Sequence, residues 1–368
     1  QITTGSDFDN QLKTTFEYNN FQVKSNQLIE LAFALGTGAF VEYKDASGNA
    51  VIDYIRAGMI YPLNWENGYI NECAFGSVRE RDGKKLYYIQ IHRLEGKVYI
   101  IENHLVDAES GEEKDLDEGV LEEVNTGLTD PPFQIIMPNI INNIDLDSPF
   151  GISVFGNGID QLKGCDLVYD SYMNEFELGK KRIIVPVGMA KMQLSKNGTM
   201  QPVFDKNDTV FYALPEDRQG EGKLDIFDPA IRSADHDAGI NKALDMLSMK
   251  CGMGSGRYRF EAGTVKTATE VISDKSDLYH SLVKHEIVLR SALTGLVKTV
   301  ARLCGQEVEQ VAIDFDDSII QDKETERSVD KGDIAIGVMT LLEYRMKWYG
   351  ESEEEAQKHI VEPVDTID

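Results

Sequence analysis

Residues 252–271 read GMGSGRYRFEAGTVKTATEV, and the fold turns on how this stretch divides. Its first five residues, Gly252-Met253-Gly254-Ser255-Gly256, hold three glycines, which predicts a flexible linker that stops the helix before it. Further on, Thr267-Ala268-Thr269-Glu270 fits a capping box. There a Thr oxygen accepts from the N3 amide while the Glu carboxylate reaches back to the cap amide. Apolar residues then recur at helical spacing through Val271, Leu278, Leu282, Leu289, Leu293, Leu296, Val300 and Leu303, up to a stop at Gly305. This spacing predicts one helix over 267–304, roughly 55 Å long at 1.5 Å per residue.

Upstream of the linker a shorter helix is predicted from about 233 to 251, with Ile240, Ala243, Leu244 and Leu247 as its apolar stripe. Another is predicted over 158–181. On it Leu162, Cys165, Tyr169, Tyr172, Met173 and Phe176 fall on one face at i, i+3, i+4 spacing. Lys163, Asp166, Asp170, Asn174 and Glu177 fall on the other. Between these helices three short strands are predicted, 182–187, 209–213 and 223–227. They are separated by the turn Lys196-Asn197-Gly198 and the stretch 216–222, and punctuated by Pro186, Pro202 and Pro215. The two helices are expected to run antiparallel, with the small β unit capping their far end. Still further upstream, an apolar run from Leu28 to Leu35 predicts a helix ended by Gly36. Strands are predicted at 41–43, 51–55, 69–75, 85–93 and 97–102, separated by Ser47-Gly48-Asn49, Asn67-Gly68, Asp82-Gly83 and Glu95-Gly96. Downstream come a strand at 308–315 and helices at about 337–349 and 352–361. The class is α+β.

Composition bounds what such a fold can do. The chain has 368 residues, 42% of them hydrophobic, enough for packed cores and two or three domains. Asp and Glu total 63 against 37 Lys and Arg, a formal net charge of −26. Such a chain does not wrap nucleic acid by neutralising phosphates, although it can stand beside DNA as a repelling wall. Nine acidic residues against Lys114 alone make 107–123 a solvated loop or edge. Cys73, Cys165, Cys251 and Cys304 stand far apart, with no CxxC, and read as free thiols of a reducing compartment. No run approaches ~18 consecutive apolar residues, so no membrane-spanning helix is expected. The polar start from Gln1 to Gln11 is not a signal peptide, and the chain reads as an internal piece of a longer protein.

Catalytic patterns are sparse. His92, His104, His236, His280, His285 and His359 form neither HExxH nor HxH, so surface or packing histidines are the default and no metal site is expected. Asp314 and Asp316 alternate along the predicted strand and share a face, as Asp145 and Asp147 do by spacing. Such pairs hold Mg²⁺ in nucleases, but no Lys-containing companion motif accompanies them. The glycines at 252–256 lack the Gly-Lys-Ser/Thr ending and follow a helix, so no nucleotide or other cofactor is expected there. No catalytic residues are assigned. Arg257, Arg259 and Lys266 flank the glycines, a basic loop in an acidic chain suited to transient phosphate contact.

Four stretches, in order, resemble a known family. They are Ala57-Gly58-Met59-Ile60-Tyr61-Pro62 with Glu72-Cys73-Ala74-Phe75; Pro149-Phe150-Gly151-Ile152-Ser153-Val154-Phe155; Lys266-Thr267-Ala268-Thr269-Glu270-Val271; and Gly337-Val338-Met339-Thr340 with Tyr349-Gly350-Glu351-Ser352-Glu353-Glu354-Glu355-Ala356. Together they resemble the portal (connector) proteins of long-tailed double-stranded-DNA bacteriophages. The resemblance implies a β-rich wing (1–152), a stem helix (153–181), a clip (182–228), a second stem helix (229–251) and a tunnel loop (252–266). It also implies a long wing helix and strand (267–334) and the start of a helical crown (335–368). It implies a homo-oligomeric ring of about twelve chains at one capsid vertex of the virion, assembled in the host cytoplasm. DNA would pass through the channel, and the terminase large subunit, the head–tail adaptor and the major capsid or scaffolding protein would be partners. With the stem's apolar face on ring neighbours, Asp166, Asp170 and Glu177 are expected to line the channel, and Arg257, Arg259 and Lys266 to belong to the tunnel loop. Two other readings stay open at this level: another virion adaptor, and a Mg²⁺-dependent phage nuclease or a protease built on Asp314 and Asp316.

Overall fold

The computed structural model describes residues 2–186, 192–194, 196–198, 200–202, 211–214, 225–258, 268–315 and 323–359. They divide into two compact units. One holds 1–157, 252–254 and 263–368; the other holds 158–251 and 255–262.

The first unit opens with β1 (Ile2–Thr3), α1 (Phe8–Tyr18) and α2 (Phe21–Leu35). Helix α2 starts earlier than its apolar run, and Gly36 ends it at φ +92°. That glycine is required twice over. A Cβ there would sit 2.6 Å from the Gly151 carbonyl oxygen, and one on Gly151 would sit 2.5 Å from that of Gly36. The chain then forms β2 (Gly38–Lys44), β3 (Ala50–Arg56), β4 (Ile60–Glu66), β5 (Tyr69–Arg81), β6 (Lys84–Glu95) and β7 (Val98–Asp107). Short β8 (Glu113–Lys114), β9 (Glu123–Asn125) and β10 (Phe133–Ile136) follow. Strand β4 escaped the sequence reading because Pro62 and two register shifts interrupt its alternation.

Strands β10, β2 and β3 make one antiparallel sheet. Strands β4 to β8 follow one another in a second sheet, and β9, also paired with β7, makes it six-stranded. The two sheets share a core in which Ala39, Val41, Ile55 and Phe133 meet Cys73, Phe75 and Tyr99. The other side of the smaller sheet carries Phe40 and Ile52 against the helices. The segment 107–123 is not merely solvated: Asp117 bridges Arg79 and Arg81.

In the second unit lie α3 (Ile159–Leu178) and α4 (Ser233–Lys250), with five short strands between them. These are β11 (Arg182–Pro186), β12 (Met192–Leu194), β13 (Met200–Pro202), β14 (Phe211–Leu214) and β15 (Asp225–Phe227). Strand β11 lies between β14, which is parallel, and β15, which is antiparallel. A hairpin joins β12 to β13 across Lys196-Asn197-Gly198.

The long helix α5 spans Ala268–Leu303 in the first unit, and Gly305 follows at φ +77°. Its buried stripe of Leu293, Leu296, Val297, Val300 and Ala301 packs with Phe8, Leu12, Leu28 and Phe40. Thr267, the expected cap, lies outside the described residues, as does Asp316. The expected strand at 308–315 contracts to β16 (Ala312–Ile313), which pairs with β1. A helix that the sequence did not announce, α6 (Lys323–Ala335), precedes α7 (Leu341–Tyr349) and α8 (Glu353–Lys358). Helix α7 begins four residues later than expected because Thr340 and Glu343 close a capping box there; Ser352 and Glu355 do the same for α8.

Candidate functional site: the acidic face of the paired helices

Helices α3 and α4 run antiparallel. A Cβ on Gly158 would lie 3.3 Å from Leu247, one on Gly239 3.6 Å from Val168, and one on Gly179 3.6 Å from Ile231. The lack of a side chain at Gly239 lets the helices approach closely at mid-length.

The packed side of α3 takes in part of the expected apolar stripe, with Leu162, Cys165 and Tyr172 half-buried. None of its residues is fully buried, and the half-buried ones include Gln161, Gly164, Val168, Tyr172 and Glu175. Tyr172 stacks edge-on to His236 of α4 at 5.8 Å. Tyr169, Met173 and Phe176, placed on the apolar face by spacing, stay 57%, 47% and 42% exposed. A single partner helix covers only a narrow arc, so a broad apolar face is left half open.

At about 100° per residue, Asp166, Asp170 and Glu177 fall within about 40° of one another, roughly opposite the side that meets α4. All three are exposed. Roughly a quarter-turn to one side stand Tyr169 and Phe176, with Met173 between them and the acids. Roughly a quarter-turn to the other stand Leu167 and Leu178, which are 72% and 64% exposed. The acids thus form a polar ridge with an open apolar flank on one side; on the other, Leu167 and Leu178 stand among the exposed polar residues Asp160, Lys163, Ser171 and Asn174.

One feature of this hairpin was not legible in the sequence. Glu175, in the last turn of α3, accepts from Arg232 at the start of α4 through Nε (3.0 Å), Nη2 (2.7 Å) and the backbone amide (3.3 Å). His236 Nε2 stands 3.5 Å from the same carboxylate. Arg232 holds the Glu175 carboxyl well below its usual range, at about 2. A cation at a helix N-terminus opposes the helix dipole, and Glu175 offsets it from the neighbouring helix. Glu175 and Arg232 are too far apart in sequence for any local spacing rule. Lys181 and Asp228 form a second ion pair at 3.1 Å.

At the other end of α4, Asp245 and Ser248 are buried, deeper than the apolar stripe expected there. Asp245 accepts from the Gly256 amide at 2.9 Å, so at least this end of the glycine run is held rather than free. Gly252, Gly254 and Gly256 all have φ above +70°. Arg257 is exposed, while Arg259 and Lys266 lie outside the described residues.

Among the described residues no three His, Cys, Asp or Glu side chains converge as metal ligands, and no helix is long and apolar enough to cross a membrane. Asp145 instead accepts the Asp147 amide in an exposed turn. His285 accepts the Asn139 amide and stacks on Phe33.

A family model described as phage portal protein, SPP1 Gp6-like, matches residues 1–354. No curated protein matches the sequence.

Proposed function

The chain belongs to the SPP1 Gp6-like family of phage portal proteins, structural components of the virion, and from that membership we propose that α3 and α4 are the stem of a ring of about twelve chains. The ring stands at one capsid vertex and leaves a channel for double-stranded DNA. The observation that carries this reading is the angular order around α3: a covered back, an open apolar flank with Tyr169 and Phe176, and an acidic ridge opposite the back. A helix in a ring meets a neighbour on each side, and Tyr169 and Phe176 on one side and Leu167 and Leu178 on the other stand exposed to it. The ridge then faces the channel.

Asp166, Asp170 and Glu177 from every chain would stack as three carboxylate rings. DNA phosphates carry the same sign. Attraction to basic side chains would hold the duplex, whereas acidic walls let it slide. The effect is local, since at physiological salt charges are screened beyond about 8 Å. Residues 252–266 would be the tunnel loop, where Arg257, Arg259 and Lys266 make passing contacts with phosphates. Residues 182–228 would be the clip, which meets the terminase large subunit during packaging and the head–tail adaptor afterwards. The parts around them, 1–152 and 267–334 with the crown from 335, would contact the major capsid or scaffolding protein. The part played is passive: the terminase ATPase supplies the energy, and the portal conducts and then retains the genome.

Replacing Asp166, Asp170 and Glu177 together by Lys tests this. Rings should still assemble, and packaging or DNA release should slow. Normal DNA throughput in that variant would overturn the channel assignment. Native mass spectrometry of the unaltered chain tests the ring itself; solitary chains under all assembly conditions would refute it.

A further inference from the structure

Helix α4 turns two polar residues inward and leaves two apolar ones outside. Asp245 and Ser248 are its fully buried residues, at 7% and 0% exposure, while Met246 and Met249 beside them stay 52% and 64% exposed. At about 100° per residue, Asp245 lies roughly 160° around the helix from Leu247 and 120° from Gly239, the positions that meet the α3 side. Pairing with α3 is therefore not what takes this acid out of water. The chain beyond the helix turns back to it instead: the Gly256 amide, eleven residues on, donates to Asp245 Oδ1 at 2.9 Å. A buried carboxylate is costly unless hydrogen-bonded, and it grips an amide more strongly than a neutral acceptor does.

The return depends on glycine. Gly252, Gly254 and Gly256 stand at φ +73°, +74° and +78°, alternating with Met253 and Ser255. Other residues rarely adopt this left-handed backbone. Gly252 is also closed in by α5, since a Cβ there would lie 2.8 Å from Ser281 Oγ, and Gly254 is buried. The run is thus a fixed turn where the sequence predicts a flexible linker. Directly after the held amide comes Arg257, which is exposed. Consecutive Cα atoms are about 3.8 Å apart, so holding Gly256 leaves Arg257 little freedom of place.

We propose that Asp245 is a latch: by holding the Gly256 amide it sets where Arg257 is presented to the DNA. This rests on the tunnel-loop reading above and names the residue that places the loop's first cation. Asp245 is a positioning residue, acting on DNA only through Arg257.

Two measurements test it. Amide hydrogen exchange on the full chain reads the latch by itself. Asp245→Ala should speed exchange at Gly256 roughly tenfold or more, the loss expected for a hydrogen bond to a charged group, and leave α3 and the rest of α4 protected. Asp245→Ser, too short to reach but still polar, should match it, and Asp245→Asn should fall between these and the native chain. Exchange at Gly256 indifferent to Ala and Ser would overturn the latch whatever the ring does. Retention of double-stranded DNA in filled capsids reads its purpose. Asp245→Ala, Arg257→Ala and the double variant should leak DNA to the same extent, because the acid acts through the arginine. Leaks that add in the double variant would overturn that coupling. Full retention in Arg257→Ala, with Gly256 exchange still following Asp245, would overturn the tunnel-loop reading and leave the latch alone standing.

Discussion

At the residue scale the first unit keeps two titratable groups wholly out of water. His92 stands between Phe75 and Phe133, edge-on to both rings at 5.2 and 5.6 Å. Neither ring nitrogen has a hydrogen-bond partner. Burial pushes its pKa from 6.5 down to about 3. A depressed histidine contributes stability that is present above the unfolded value and lost as pH falls from about 6.5 through about 3. At about 1.4 kcal/mol per pH unit that gap is worth on the order of 5 kcal/mol. His92→Phe should therefore flatten the fall of the urea midpoint between pH 6 and pH 3; an unchanged slope would show that His92 is not the acid-labile group. Glu42 has the opposite sign. Burial raises its carboxyl well above 4.5, against a smaller opposing pull from the Gln134 side chain. Its contribution is present below 4.5 and lost as pH rises through the raised value. Glu42→Gln should accordingly be more stable than the native chain in alkaline urea titrations, a difference that disappears below pH 4.

Local chemistry made some elements legible and tertiary contacts hid others. The end of α2 and the run of α5 followed from Gly36, Gly305 and an apolar stripe, because those signals act within one or two turns. Helix α6 was missed since Lys323–Ala335 is polar all round. Its side chains instead reach α7: Arg327 donates to the Tyr344 hydroxyl, and Asp330 accepts from Trp348 Nε1 at 2.7 Å. On α3 the sequence gives the width of an apolar stripe and not which part of it a partner covers, so Leu162, Cys165 and Tyr172 are half-buried while Tyr169, Met173 and Phe176 stand exposed. The Glu175–Arg232 clasp joins residues no spacing rule connects. Two predictions belong to this scale. Leu296 is fully buried in the α5 stripe, and Leu296→Ala should cost about 2–5 kcal/mol by urea denaturation. Thr340 accepts the Glu343 amide at 3.1 Å, and Thr340→Ala should cost about 1 kcal/mol, with the loss confined to amide exchange protection in α7 and its contacts.

Over the whole molecule the governing quantity is the net charge of −26. Copies of such a chain repel, so whatever joins them has to work against their own field. The open flanks of α3 suit this task because burial of apolar surface does not depend on charge. Salt separates the two effects. Raising ionic strength from about 0.15 M to about 1 M shortens the screening length from about 8 Å to about 3 Å, which weakens repulsion and leaves apolar contact intact. Ring yield by native mass spectrometry should therefore rise with salt up to that point; a fall would mean that ion pairs do the joining. The flanks themselves are open to a sharper test. Leu167 is 72% exposed and Met173 47%, so in a single chain their replacement removes little buried surface. Surface changes of this kind usually stay within about 0.5 kcal/mol. Leu167→Lys with Met173→Lys should thus leave the urea midpoint of the isolated chain nearly unchanged and abolish rings. Intact rings would place the neighbour elsewhere on the helix, and a large loss of chain stability would mean that these side chains are already covered within one copy.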